Sequence, residues 1–209
     1  MPRQAVSHAV VPGWFGKIPN LGDFASRRLP DAFMRPWDRW LQESLARTRT
    51  DLGEAWREAY LVAPIQRFWV ARGALGRLAW GGLLMPSVDR VGRYFPLTIA
   101  QPFDTLATAL AAGAWFAALD RAARRVLDVA YTADQLEAEL HALPSLDGSA
   151  PDAAVEDLAD ALLRRCSSPR SCSVWWCSDA AVDDEGIGFL CFAGLPPAAE
   201  FASMLGVTT

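Results

Sequence analysis

Histidine, lysine and any excess of positive charge are scarce in this chain of 209 residues. It has two histidines and one lysine, and its 20 basic residues fall short of its 24 acidic ones, for a net charge of −4. Binding to nucleic acid needs clustered cations to meet the phosphates, and that clustering is missing. Long apolar runs are missing too. The stretch from Leu106 to Leu119 is interrupted by Thr108 and Gly113 and stops at Asp120, short of the ~20 mainly apolar residues of a membrane span. Met1 to Val11 contains no apolar core of the kind that marks a secretion signal. These absences lead to the expectation of a cytoplasmic protein with no nucleic-acid partner and no membrane insertion.

The motifs of common chemistry are absent as well. The four cysteines, Cys166, Cys172, Cys177 and Cys191, are separated by five, four and thirteen residues. No C-x-x-C pair forms, so the tight ligand spacing of a zinc site is lacking, and free thiols in a reducing compartment are expected. There is no G-x-x-x-x-G-K-[ST], and Lys17 does not follow a glycine-rich loop. Gly186-Ile187-Gly188 starts a G-x-G, but Cys191 stands where a dinucleotide fold needs its third glycine. Neither His8 nor His141 has an obvious serine or cysteine partner, and G-x-S-x-G does not occur. No cofactor, metal or catalytic residue is assigned.

What the chain does have is a large apolar fraction, 52%, with nine tryptophans, enough for a substantial core. A strand is expected over Gly13 to Ile18, then the turn Pro19-Asn20-Leu21-Gly22. Phe33, Trp37, Trp40, Leu41 and Leu45 recur at the helical period, with Pro36 expected to start or kink that helix. A short helix over Asp51 to Tyr60 puts Leu52, Trp56, Ala59 and Tyr60 on one side. Three extended runs follow, Ile65 to Ala71, Gly76 to Met85 and Pro96 to Gln101, the first two spaced as an antiparallel hairpin. A polar loop separates the last two.

The middle reads as helical. Asp104 or Thr105 can cap one long helix to about Val129, and Thr132 with Gln135 has capping-box spacing ahead of Leu136 and Leu140. Asp152 to Arg165 is amphipathic through Val155, Leu158, Ala159, Leu162 and Leu163. Cys172 to Cys177 and Ile187 to Phe192 are apolar on both alternating faces, so these strands need cover on both sides. Asp179 to Gly186 lies between them as an acidic turn. A last helical turn is expected over Pro197 to Leu205. The predicted fold class is α/β of the α+β kind. It has a mainly antiparallel or mixed sheet of about six strands and helices packed on both faces. The expected organisation is a single domain over residues 1–209, with a frayed segment at 1–12 and an exposed loop at 143–150.

Three carboxylate groups invite functional readings. Asp183, Asp184 and Glu185 form an acidic run that reads as a solvated hairpin tip. Asp23 and Asp89 sit in loops between apolar elements, where turn hydrogen bonds or local ion pairs are the usual role.

Three stretches together resemble one family. They are Gly13-Trp14-Phe15-Gly16-Lys17-Ile18-Pro19 with Gly22-Asp23-Phe24; then Leu29-Pro30, Phe33 and Trp37-Asp38-Arg39-Trp40-Leu41; and Pro86-Ser87-Val88-Asp89-Arg90-Val91-Gly92-Arg93-Tyr94-Phe95-Pro96-Leu97-Thr98. In this order they resemble the TagF family, also called ImpM, of bacterial type VI secretion. Gly194-Leu195-Pro196 and Phe201 add to the likeness near the end.

The resemblance implies a non-enzymatic protein that represses type VI secretion after translation, with the forkhead-associated scaffold protein, Fha, as partner. Read from the residues, the candidate partner surface is the loop Ser87, Asp89, Arg90, Arg93 and Tyr94, joined by Asp23 and Arg27. Arginine can fork a carboxylate, and tyrosine offers a rigid contact. The competing reading of Asp89, Arg90, Gly92 and Arg93 is that they hold the loop by internal pairs. Two alternatives stand beside repression. One is a ligand pocket or enzyme built on Asp23, Asp89 and Arg93; the other is a structural subunit of the secretion apparatus.

Overall fold

The computed structural model describes residues 10–146, 150–168, 170–177 and 188–206. In chain order the elements are β1 (Gly13–Gly16), β2 (Ala25–Arg27), α1 (Asp31–Leu52), α2 (Trp56–Val62), β3 (Gln66–Val70), β4 (Trp80–Met85) and β5 (Leu97–Pro102). Then come α3 (Leu106–Ala111), α4 (Gly113–Arg125), α5 (Ala133–His141), α6 (Ala153–Arg165), β6 (Cys172–Cys177), β7 (Phe189–Ala193) and α7 (Phe201–Met204). The strands form one seven-stranded sheet in the order β2-β1-β5-β4-β3-β6-β7. Every neighbouring pair is antiparallel, which settles the choice between an antiparallel and a mixed sheet.

Alternation along the strands produces two cores. Trp14, Trp69, Leu83, Ile99, Val174 and Trp176 lie on the face covered by α3 to α6. Phe68, Val70, Leu84, Ala100 and Trp175 lie on the other, with Phe33, Trp37, Trp40 and Leu41 of α1, Trp56 and Tyr60 of α2, and Phe201 of α7. Neighbours such as Trp175 and Trp176 therefore point to opposite sides. The helices on both faces are what strands apolar on both faces require.

Within the second core, Trp37 is fully buried and stacks on Phe33, with ring centroids 5.1 Å apart. Its Nε1–H donates to Thr98 Oγ1 at 2.8 Å, so the one polar atom of a large apolar group is satisfied. Trp40 Nε1–H likewise donates to the carbonyl of Pro196 at 2.7 Å, tying α1 to the chain's last segment. Gly82 lies where β4 passes β5 closely; a Cβ there would sit 2.1 Å from the carbonyl oxygen of Ile99.

Several sequence expectations need correction. Helix α1 begins at Asp31, and Pro36 lies inside it. The Pro30 carbonyl accepts from Phe33 and Met34, so the first turn is closed before the proline is reached. Asp51 and Leu52 finish α1, and the second helix starts at Trp56 after a 3-10 turn at Gly53–Ala55. The single long helix from Asp104 or Thr105 is two helices, broken at Ala112 beside Gly113, the residue of low helix propensity in that run. Thr105 does cap, accepting from the Thr108 N–H, and the Thr132–Gln135 capping box is present. Strand β4 starts at Trp80 rather than Gly76. Strand β2 is an additional strand, three residues long and held only by β1.

Pro12 is buried and its carbonyl accepts from Arg28, so the expected frayed segment does not reach residue 12. The expected turn at 179–186, with Asp183, Asp184 and Glu185, lies outside the described residues, as do His8 and the start of the strand expected at Ile187.

None of the four cysteines is joined in a disulfide. Burial pushes the thiols of Cys166 and Cys191 up to about 11, so both stay protonated at neutral pH and react slowly as nucleophiles. We expect four thiols to titrate in denaturant without reductant. In native protein Cys166 should react far more slowly than a free thiol; fewer than four in denaturant would reveal an unrecognised bond. Trp37→Ala should cost about 3–5 kcal/mol and Gly82→Ala about 1–3 kcal/mol. Denaturant melts that match the parent would mean the two-core packing is wrong at those positions.

Candidate functional site

The β1–β2 and β4–β5 connections leave the same end of the sheet, because β1 and β4 both pair with β5. The β4–β5 loop folds on itself as a miniature hairpin. Val88 bridges Tyr94, the Asp89 N–H donates to the Arg93 carbonyl, and the Phe95 N–H donates to the Ser87 carbonyl.

Asp89 organises this loop from inside. One carboxylate oxygen accepts from the backbone N–H groups of Val91 (3.0 Å) and Arg93 (2.9 Å). The other accepts from Arg93 Nε (2.7 Å) and lies 3.0 Å from Lys17 Nζ. Both Lys17 and Asp89 are buried. Burial alone would push the Asp89 carboxyl up. The Arg93 N–H, the Lys17 ammonium, the Arg93 guanidinium and the Val91 N–H together outweigh it, and hold the group well below the usual carboxylate range.

The same contacts join the two loops. Arg93 Nη2 donates to the Gly22 carbonyl at 2.6 Å, and the Arg90 N–H donates to the Leu21 carbonyl at 3.0 Å. Lys17 Nζ stands 4.8 Å from the centre of the Phe24 ring, a cation–π distance. Phe24 in turn meets Phe95 edge-on at 4.7 Å.

Below the loop, the Tyr60 hydroxyl donates to the Ser87 carbonyl (2.9 Å) and accepts from the Ser87 N–H (3.0 Å). Burial pushes this phenol far above its ordinary range, against the pull of its bond to the Ser87 backbone. Tyr94 packs edge-on against both Trp56 and Tyr60. The loop is thus braced on α2 as well as on the β1–β2 connection.

The seven residues read from the sequence fall into two groups. Ser87 and Asp89 are buried, so neither offers a surface to a partner; both belong to the internal scaffold. Arg93 is half-exposed and shared between Asp89, the Gly22 carbonyl and, at 3.9 Å, Asp23. Asp23, Arg27 and Arg90 are exposed, and Tyr94 is half-buried. Arg27 lies 3.9 Å from Asp134.

The structure therefore does bring Asp23, Asp89 and Arg93 together. Both oxygens of Asp89 are occupied and its side chain is enclosed, so it has no face for a ligand. Three contributors were missed. Lys17, the single lysine, was a visible signal; exposed Phe24 and Val91 were not.

A family model described as the TagF N-terminal domain, type VI secretion system-associated, matches residues 13–143. The chain belongs to the TagF family. Among solved structures it is similar to PA0076 from Pseudomonas aeruginosa PAO1, a crystal structure at 2.05 Å resolution. Identity is 32% and the TM-score 0.77, over 95% of this chain and 96% of that one. No curated protein matches. The TagF match runs from β1 to the end of α5; β6, beyond it, pairs with β3 to complete the same sheet. Two of the three stretches that carry the TagF resemblance, residues 13–24 and 86–98, are the two halves of the Asp89 assembly.

Asp89 titrates lower in the folded protein than the roughly 4 of an unfolded chain. Its stabilisation is therefore complete above that value and is lost as pH falls through the acid range. Asp89→Asn should lower the melting temperature at pH 7, and the gap to the parent should narrow below pH ~4. A gap that stays constant with pH would assign the loss to shape rather than charge.

Proposed function

We propose that this TagF-family chain is a cytoplasmic, non-enzymatic repressor of bacterial type VI secretion. It acts after translation by binding a protein partner, the forkhead-associated scaffold Fha. Family membership supports the link to type VI secretion. Among the described residues no helix is long and apolar enough to cross a membrane. The net charge of −4 fits a protein partner better than nucleic acid.

The observation that carries the binding reading is the surface of the Asp89 loop. Arg90 is exposed with no side-chain partner among the described residues. Beside it stand Val91, 68% exposed, and Phe24, 46% exposed, on a scaffold locked from below. An unpaired arginine next to exposed apolar groups on a rigid loop is a recognition surface for a partner carboxylate and its apolar surroundings.

Deleting the protein should raise type VI secretion with no change in secretion transcripts. Arg90→Glu combined with Val91→Asp should reproduce the deletion and abolish co-purification of Fha, with the melting temperature kept. Reversing Asp89 and Arg93 would be uninformative by comparison, because a cation at position 89 would be buried against Lys17. Secretion unchanged on deletion overturns repression. Fha captured equally by the double variant overturns this surface.

A further inference from the structure

At the end of the sheet away from Asp89, between α3 and α6, lies a cavity of about 440 Å³. Trp69, Ala71 and Ala79 from the strand ends line it with Leu106 and Leu163 from the two helices; Arg72, Arg170, Asp104 and Thr105 complete the wall. The volume is in the range of small-molecule sites.

Three features point to the kind of ligand. First, the two exposed arginines that line the cavity rise from backbone segments in close contact. Gly73, next to Arg72, packs so closely on residue 170 that a Cβ would come within 2.9 Å of the Arg170 carbonyl oxygen. Second, neither guanidinium pairs with a carboxylate or any other group among the described residues. Two guanidiniums with one carboxylate, that of Asp104, in the same wall leave positive charge uncompensated, and an anion in the cavity would offset it. Third, the indole N–H of Trp69, a residue only 6% exposed that lines the cavity, has no acceptor among the described residues. A buried donor left unpaired is unfavourable, and a ligand oxygen is the group that would satisfy it.

Asp104 sets the charge. One carboxylate against two guanidiniums leaves a single net positive charge at the cavity, which favours a monoanion. The apolar side chains of Leu106, Leu163 and Trp69 call for an apolar body. Thr105 already accepts from the Thr108 N–H and adds no further selection.

We infer that this cavity is a binding site for a small apolar carboxylic acid, its carboxylate at Arg72, Arg170 and the Trp69 N–H and its hydrocarbon on Leu106 and Leu163. The site is separate from the Asp89 surface and does not rest on the regulatory reading.

The test uses the whole protein labelled with ¹⁵N at tryptophan, the Trp69 indole signal being the one lost in Trp69→Phe. Titration with 4-phenylbutyrate should move that signal saturably within the millimolar range or below. The neutral amide, 4-phenylbutyramide, should bind at least about tenfold more weakly. Arg72→Gln with Arg170→Gln should weaken the acid by a similar factor while the melting temperature holds. Asp104→Asn, which removes the opposing charge, should tighten it. No movement of the Trp69 signal overturns the proposal. So does equal affinity for acid and amide, or an Asp104→Asn variant that binds no better than the parent.

Discussion

Strands β3, β4 and β6 carry apolar side chains on both faces, and that two-sided burial governs how the rest of the chain is laid out. A sheet with Trp69 and Trp176 on one side and Phe68 and Trp175 on the other cannot leave either face in water without exposing several large rings. One set of helices must therefore cover each side. The chain complies by sending α1 and α2 across one face before β3 and α3 to α6 across the other after β5. The last strands, β6 and β7, then extend the sheet from the free edge of β3.

Charges inside this apolar frame serve position rather than net stability, since desolvation offsets most of the attraction in a buried pair. Arg67 on β3 meets Asp120 on α4, with the guanidinium 5.5 Å from the Phe116 ring centre. One atom of each, Arg67 Nε and Asp120 Oδ1, has no hydrogen-bond partner among the described residues. What the pair does is fix α4 over the middle of the sheet. Glu137 of α5 plays a similar part, bonding both Trp14 of β1 and Arg28. Arg28 itself adopts a left-handed backbone, φ 61°, an uncommon state for a residue with a side chain. Its contacts with the Pro12 carbonyl and Glu137 hold it there.

The two ends of the sheet differ in kind. At one, Asp89 draws two loops into a single rigid unit whose outer surface carries Arg90, Val91 and Phe24. At the other, the strand ends and two helices leave an apolar hollow with two arginines that have no partner among the described residues. The same strands, β4 and β5, run between the two, so both surfaces stand on one continuous piece of backbone.

Local chemistry was legible in the chain. The 3.6-residue spacing of Phe33, Trp37, Trp40, Leu41 and Leu45, the Thr132–Gln135 capping box, and the two-sided apolar pattern at Cys172 to Cys177 each specify an element through neighbours a few residues away. Strand β2 was not legible, because three residues with no alternation become a strand only by pairing with β1. Nor was the role of Asp89. The sequence placed it in a polar loop, where an exposed contact and an internal brace look alike. What separates them is Lys17, 72 positions earlier, brought to 3.0 Å by the antiparallel pairing of β1 with β5. By itself the sequence determined most of the segments that are helix or strand and which of their faces are apolar, because those depend on short-range sterics and hydrophobic spacing. Only the tertiary structure decided which polar residues are buried in pairs and which remain open to a partner, because that depends on distances between segments far apart in the chain.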